Sequence, residues 1–167
     1  PEANSRHPQD RRLIKAAMFT KEGNYLSFLT GAGTYREEVF ERDLHAISGV
    51  YYDRGYINVQ VDRPTVAISP DMRWITITIP VEEGEQYSIG EIDFSGDILT
   101  TKEELRELMR VEPGQIFSRS KLQDDLQRMT RLYHDEAYAY VNIAPLTRVH
   151  PEERRVDITF DIEKGKK

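Results

Sequence analysis

The chain has no cysteine among its 167 residues, a single tryptophan, and a deficit of basic residues. Without cysteine there are no disulfides, no thiolate nucleophile and no zinc–thiolate site, so stability must come from packing. Apolar runs last only a few residues, short of the roughly 20 a helix needs to cross a bilayer, and no basic-then-apolar leader opens the chain. Twenty-three Lys and Arg against 29 Asp and Glu leave a formal charge of −6, which argues against a nucleic-acid partner. His7, His45, His134 and His150 include no pair at i, i+3 or i, i+4, and no metal-binding motif surrounds them. His45 and His134 read as solvated helix residues. Gly31-Ala-Gly33 lacks the rest of a phosphate loop, and Glu37-Glu38, Glu82-Glu83 and Glu103-Glu104 read as helix-start or strand-exit charges. The expectation is a protein that is not an enzyme and holds no metal or cofactor.

What is present is a repeat. At an offset of 82, Phe40, Leu44, Ile47, Val50 and Tyr51 fall on Leu122, Leu126, Met129, Leu132 and Tyr133. Asp53, Tyr56, Val59 and Val61 then fall on Asp135, Tyr138, Val141 and Ile143. One residue later the offset is 81: Pro64 meets Pro145, Pro70 meets Pro151, and Ile75, Ile77, Ile79 and Val81 meet Val156, Ile158, Phe160 and Ile162. A period near 80 residues is too long for a solenoid unit, so each copy should be a domain, residues 1–84 and 85–167.

The second copy sets the template. Ile89, Ile92 and Phe94 before Gly96-Asp97 predict a strand and turn. Thr100-Thr-Lys-Glu103 reads as a capping box opening a helix through Leu105, Leu108 and Met109 that stops at Pro113-Gly114. Ser120-Lys-Leu-Gln123 reads as a second box, followed by the stripe Leu122, Leu126, Met129, Tyr133. A strand with an internal Pro145, a turn at Pro151, and the alternating strand Val156, Ile158, Phe160, Ile162 complete a β-α-α-β-β order. Two amphipathic helices and a three-stranded sheet bury their apolar faces only against one another, which predicts an α+β two-layer sandwich with a mixed sheet. The first copy predicts a helix from Gln9 to Phe19 and a second opened by Thr34-Tyr-Arg-Glu37. Its strands run over 57–68 and 74–81, and Gly55 stands at a left-handed cap where the second copy has Ala137, so the second helix end should be capped differently or less stably. Residues 1–8 show no apolar alternation, so the first copy is read as lacking its first strand.

Pro64 and Pro145 confine their strands to sheet edges, because proline cannot donate to a ladder. An edge offers backbone groups to another extended chain, and equally a proline there blunts the edge against aggregation; the sequence leaves both open. The candidate docking residues are Ile57, Asn58, Val59, Gln60 and Val61 in the first copy and Tyr140, Val141, Asn142, Ile143 and Ala144 in the second. Tyr25, Leu26, Phe28 and Leu29, in a loop between helices, either fold onto the core or form an exposed patch for a partner. The tyrosines around the second helix end, Tyr51, Tyr52, Tyr56, Tyr133, Tyr138 and Tyr140, read as core packing.

The run Tyr51-Tyr-Asp-Arg-Gly-Tyr56, then Pro70-Asp71, then the stretch from Ile75 through Glu82-Glu-Gly84 to Tyr87, Ile92 and Gly96 resembles the POTRA domains of BamA-type outer-membrane assembly proteins. The resemblance covers nearly the whole chain and implies a β-α-α-β-β fold, a periplasmic location and a scaffold role in outer-membrane β-barrel assembly. The partners it implies are unfolded outer-membrane proteins, accessory lipoproteins resembling BamB, and the membrane β-barrel of the parent chain. Gly33-Thr-Tyr35 resembles the third domain of such an array, and Val111-Glu-Pro-Gly114 with Tyr138-Ala-Tyr140-Val141 the fourth. The alternatives are a POTRA module of another outer-membrane or two-partner secretion transporter, or an RNA-binding α+β pair. RNA binding is the weaker, because the alternating strands carry mainly aliphatics.

Overall fold

A computed structural model of the chain describes residues 37–71 and 75–165. The first copy's predicted first helix, the expected absence of a first strand, the Thr34 capping box and the loop residues Tyr25, Leu26, Phe28 and Leu29 all concern residues outside these. The chain divides into two units, and the division is not a single cut at 84/85. Residues up to Tyr51 and Asn58–Gly84 belong to the first, whereas Tyr52–Ile57 belongs to the second with the residues from Glu85 onward. Local chemistry accounts for this: the Tyr87 N–H donates to the Gly55 carbonyl at 2.8 Å, Gln86 donates to the Arg54 carbonyl, and Ile57 packs on the second core.

In the first unit, helix α1 (Glu37–Tyr52) turns Ile47 and Tyr51 into the interior, as its stripe predicts, and buries Asp43 beside them. The hairpin departs from the two continuous strands expected. It consists of β1 (Gln60–Val61) with β4 (Val81–Glu82), and β2 (Thr65–Ile68) with β3 (Ile75–Thr78), both antiparallel. Between the pairs Val61↔Val81 and Thr65↔Thr78 one side has an extra residue, and the prolines at 64 and 80 fall in this break. Neither has an N–H to give, so the ladder lapses there.

The second unit follows the template. Strand β5 (Ser88–Gly96) leads to α2 (Lys102–Glu107) and α3 (Arg119–Asp135), then β6 (Val141–His150), a 3-10 turn over Pro151–Glu153, and β7 (Arg155–Lys164). The order is β5-β7-β6, with β5 parallel and β6 antiparallel to the central β7. Val156, Ile158, Phe160 and Ile162 on β7 are buried under the helices, where they meet Leu105, Leu122, Met129 and Tyr133. The Phe160 ring stacks on Phe94 at 5.6 Å. Along β5 the apolar spacing of three from Ile89 to Ile92 marks a bulge, where the pairing register shifts.

Helix boundaries show where pattern reading slips by a residue or two. The first capping box forms on Thr101 with Glu104, not on Thr100 with Glu103: the Glu104 N–H donates to the Thr101 hydroxyl, and its carboxylate accepts from the Thr101 N–H. Adjacent threonines and adjacent glutamates offer the same spacing twice. The N-cap of α3 is Ser118, not Ser120, and its hydroxyl accepts from the Lys121 N–H. With lysine at the third position no reciprocal bond forms; instead the Asp53 carboxylate accepts from the Ser120 N–H at 2.7 Å and from the Ser118 hydroxyl. An anion at that end suits the helix dipole.

The two helix ends meant to differ share a backbone conformation. Ala137 has φ +66°, against +83° for Gly55. The Tyr138 N–H reaches the Tyr133 carbonyl and the Ala137 N–H the His134 carbonyl, a Schellman pair, and the Tyr133 and Tyr138 rings lie 6.4 Å apart in its accompanying apolar contact. Ala137 thus carries the left-handed strain that Gly55 avoids. Ala137→Gly is expected to stabilise the second unit by about 1 kcal/mol, read as a higher urea midpoint with unchanged slope.

Candidate functional site

The site begins with a parity argument on β6. The register Val141↔Lys164 continues to Tyr140 opposite Gly165, and the Gly165 N–H donates to the Tyr140 carbonyl at 2.7 Å. In an antiparallel ladder hydrogen-bonded and non-bonded pairs alternate. Asn142, Ala144, Leu146, Arg148 and His150 therefore direct their backbone groups to β7, and Val141, Ile143, Pro145, Thr147 and Val149 direct theirs outward. Among the described residues no backbone hydrogen bond reaches that outward row. Pro145 sits on it, where a missing N–H costs β7 nothing, and it splits the rim into a stretch before it and a stretch after it. The other edge is partly sealed: along β5 the backbone of residues 114–117 bonds to Tyr87 and Ile89, with Ile89 N–H to Gln115 carbonyl at 2.7 Å.

Beside this rim runs α3, and between them lies a cleft of about 530 Å³. Leu122, Leu126 and Pro145 give it apolar walls, and Arg119, Arg131 and His134 are among its other lining residues, none of which is a carboxylate. An incoming strand would pair with β6 and turn alternate side chains into the cleft.

On the opposite, open face of the sheet the Asp157 carboxylate accepts the Glu91 N–H of the β5 bulge at 2.8 Å and lies 2.7 Å from His150 Nε2 and 3.2 Å from Arg155 Nε. The Glu91 N–H, then His150 and Arg155, hold this carboxyl below its ordinary range against an opposing burial effect. A Cβ at Gly90 would fall on the Asp157 and Arg155 side chains, which would have to shift to admit it. Asp93 is held low by Lys102 and by the Phe94 N–H. Burial pushes the Tyr133 phenol up; its hydroxyl donates to the Asp97 carbonyl and accepts from the Leu99 N–H. These groups brace the fold. Among the described residues no three His, Asp or Glu side chains gather as a metal site, and no helix is long and apolar enough to cross a membrane.

The expected docking residues fare unequally. Tyr140, Val141, Asn142, Ile143 and Ala144 lie together at the start of the open edge, and Tyr140 is 81% exposed, not packed in the core as its helix-end position suggests. Tyr51 and Tyr133 are buried; Tyr52, Tyr56 and Tyr138 are half-buried. In the first copy the strand shrinks to Gln60 and Val61, since Ile57 packs on the second core, Asn58 is in a turn and Val59 is buried outside any ladder. The sequence reading missed the helix wall of the cleft, in which Leu126 of the apolar stripe is joined by Arg131 and His134 from outside the stripe. It also missed the buried carboxylates Asp43 and Asp125, although the repeat aligns them.

Two α+β units, one with an open edge beside a basic-rimmed cleft, define a tandem repeat module. The model of the POTRA family, described as "Surface antigen variable number repeat", matches residues 7–84 and again 87–165. The chain belongs to the POTRA family, as a tandem pair of the BamA type. It is 30% identical over 158 residues to the outer membrane protein assembly factor BamA of Nitratidesulfovibrio vulgaris, covering 92% of this chain and 20% of that protein. It is 27% identical over 159 residues to the BamA of Neisseria meningitidis, covering 95% and 20%. The chain thus spans about one fifth of the length of these relatives. The fold matches the crystal structure of Haemophilus influenzae BamA POTRA3-5 with a TM-score of 0.70 at 20% identity, over 92% of this chain and 60% of that one.

Proposed function

We propose that this pair is a periplasmic module of an outer-membrane protein assembly factor that works by docking, not by bond-making. It holds unfolded outer-membrane polypeptides, and accessory lipoproteins of the BamB kind, by adding their extended segments to its sheet edge, and it hands them toward the membrane β-barrel of the same parent chain. The observation that carries this reading is the outward backbone row at Val141 and Ile143, flanking the α3 cleft. Main-chain pairing supplies affinity that is indifferent to most of a client's sequence, as a module serving many clients requires. The two-residue ladder at Gln60 and Val61 makes the first unit the lesser contributor.

A photo-cross-linking side chain placed at Leu146, which is 55% exposed on β6, tests it against one at Glu91 on the far strand. Adducts with unfolded outer-membrane polypeptide are expected at position 146 and not at 91. Equal yields at both would contradict edge docking.

A further inference from the structure

Resting on the strand-addition reading of β6, we infer that the cleft selects extended segments in which an acidic side chain stands two residues from a large apolar one. The whole chain carries a charge of −6, yet the cleft is lined by two arginines, a histidine and no carboxylate. The two arginines are not equivalent. Arg119 lies over the Tyr52 ring at 5.5 Å, whereas Arg131 is exposed and has no ion pair among the described residues.

Position along the rim follows from connectivity. Helix α3 ends at Asp135 and β6 begins at Val141, so the helix end bearing Arg131 and His134 stands at the Val141 end of the strand. Leu122 and Leu126 lie earlier on α3 and share the cleft with Pro145. The outward groups of Val141 and Ile143 thus fall beside cationic wall, and the next step along the edge falls beside apolar wall. Side chains on one face of an added strand recur every second residue, about 6.6 Å apart. One such side chain meets Arg131 while its neighbour on the same face meets Leu126 and Pro145. Proline's lack of an N–H at 145 limits pairing across that point, which fixes the segment to the register beginning at Val141.

Two fluorescein-labelled, end-blocked peptides of alternating threonine test the inference. One carries glutamate at its third position and phenylalanine at its fifth; the other has glutamine in place of the glutamate. Blocked ends remove any terminal carboxylate as a competing source of charge. At low salt the glutamate peptide should bind about threefold to fivefold tighter, with the preference lost in high salt and in Arg131→Gln, and retained in Arg131→Lys. Equal affinities, with the Val141 and Ile143 amide signals shifted by both peptides, would leave strand addition standing and overturn the selectivity. A preference that survives Arg131→Gln would overturn the role given to Arg131. No shift at those amides with either peptide would bring down the docking reading and this inference with it.

Discussion

Asp125→Ala is expected to lower the stability of the second unit by about 3 kcal/mol, because two backbone N–H groups lose their only strong acceptor in the interior. The side chain is fully buried on α3; its two oxygens accept from the Arg110 N–H, and one also accepts from the Val111 N–H, all at 3.0 Å. Val111 is itself buried, and Arg106 holds its carbonyl at 2.7 Å, so this carboxylate clamps the exit of α2 onto α3. Alanine removes the acceptor and leaves a void, and the buried Val111 N–H cannot recover water without unpacking the helices. For a unit of this size the loss corresponds to a fall in melting temperature of about 15 °C. In an Asp125→Asn variant the side-chain amide would accept with its one oxygen and oppose a backbone N–H with its nitrogen, so an intermediate loss is expected. Scanning calorimetry on the three proteins measures the series; an alanine variant within about 0.5 kcal/mol of the parent would mean that the clamp is unimportant.

Val141→Pro is expected to weaken binding of an extended peptide about tenfold or more, a factor worth ~1.4 kcal/mol, with far-ultraviolet circular dichroism unchanged. Position 141 belongs to the outward row, so its N–H is not used by β7, and proline there removes one docking donor while the ladder behind it stays whole. Pro145, two outward positions further on, already occupies the same kind of place in the native strand. Asn142→Pro is the internal contrast: its N–H faces Glu163 on β7 within the ladder, and its loss should disturb the sheet itself. Fluorescence polarisation with a labelled peptide separates the two. Undiminished binding to the Val141 variant would place docking away from this edge.

Much of this is legible in the sequence alone, and the reasons are physical. The stripe Leu122, Leu126, Met129, Tyr133 and the alternation on β7 are signals of burial repeated over several turns or pleats, and burial dominates the choice of element. Pro145 marks an edge because a missing donor has only one safe direction. The first unit's hairpin is less legible, since the meeting of Pro64 and Pro80 in one break of the ladder is a long-range coincidence that neither strand shows alone. Asp125 is hidden by the rule that charges face water; only its acceptance of two distant N–H groups makes burial tolerable, and those donors come from a loop. The cleft requires α3 and β6 to be seen side by side, because Arg131 and His134 read in isolation are ordinary solvated residues.

The account stands on the outward row of β6 being free to pair. Amide hydrogen exchange, with and without a bound alternating peptide, measures that row residue by residue. Val141 and Ile143 should gain protection on binding, while Asn142 and Ala144, whose N–H groups already face β7, stay unchanged. Protection that is uniform along the strand, or absent from Val141 and Ile143, would contradict it.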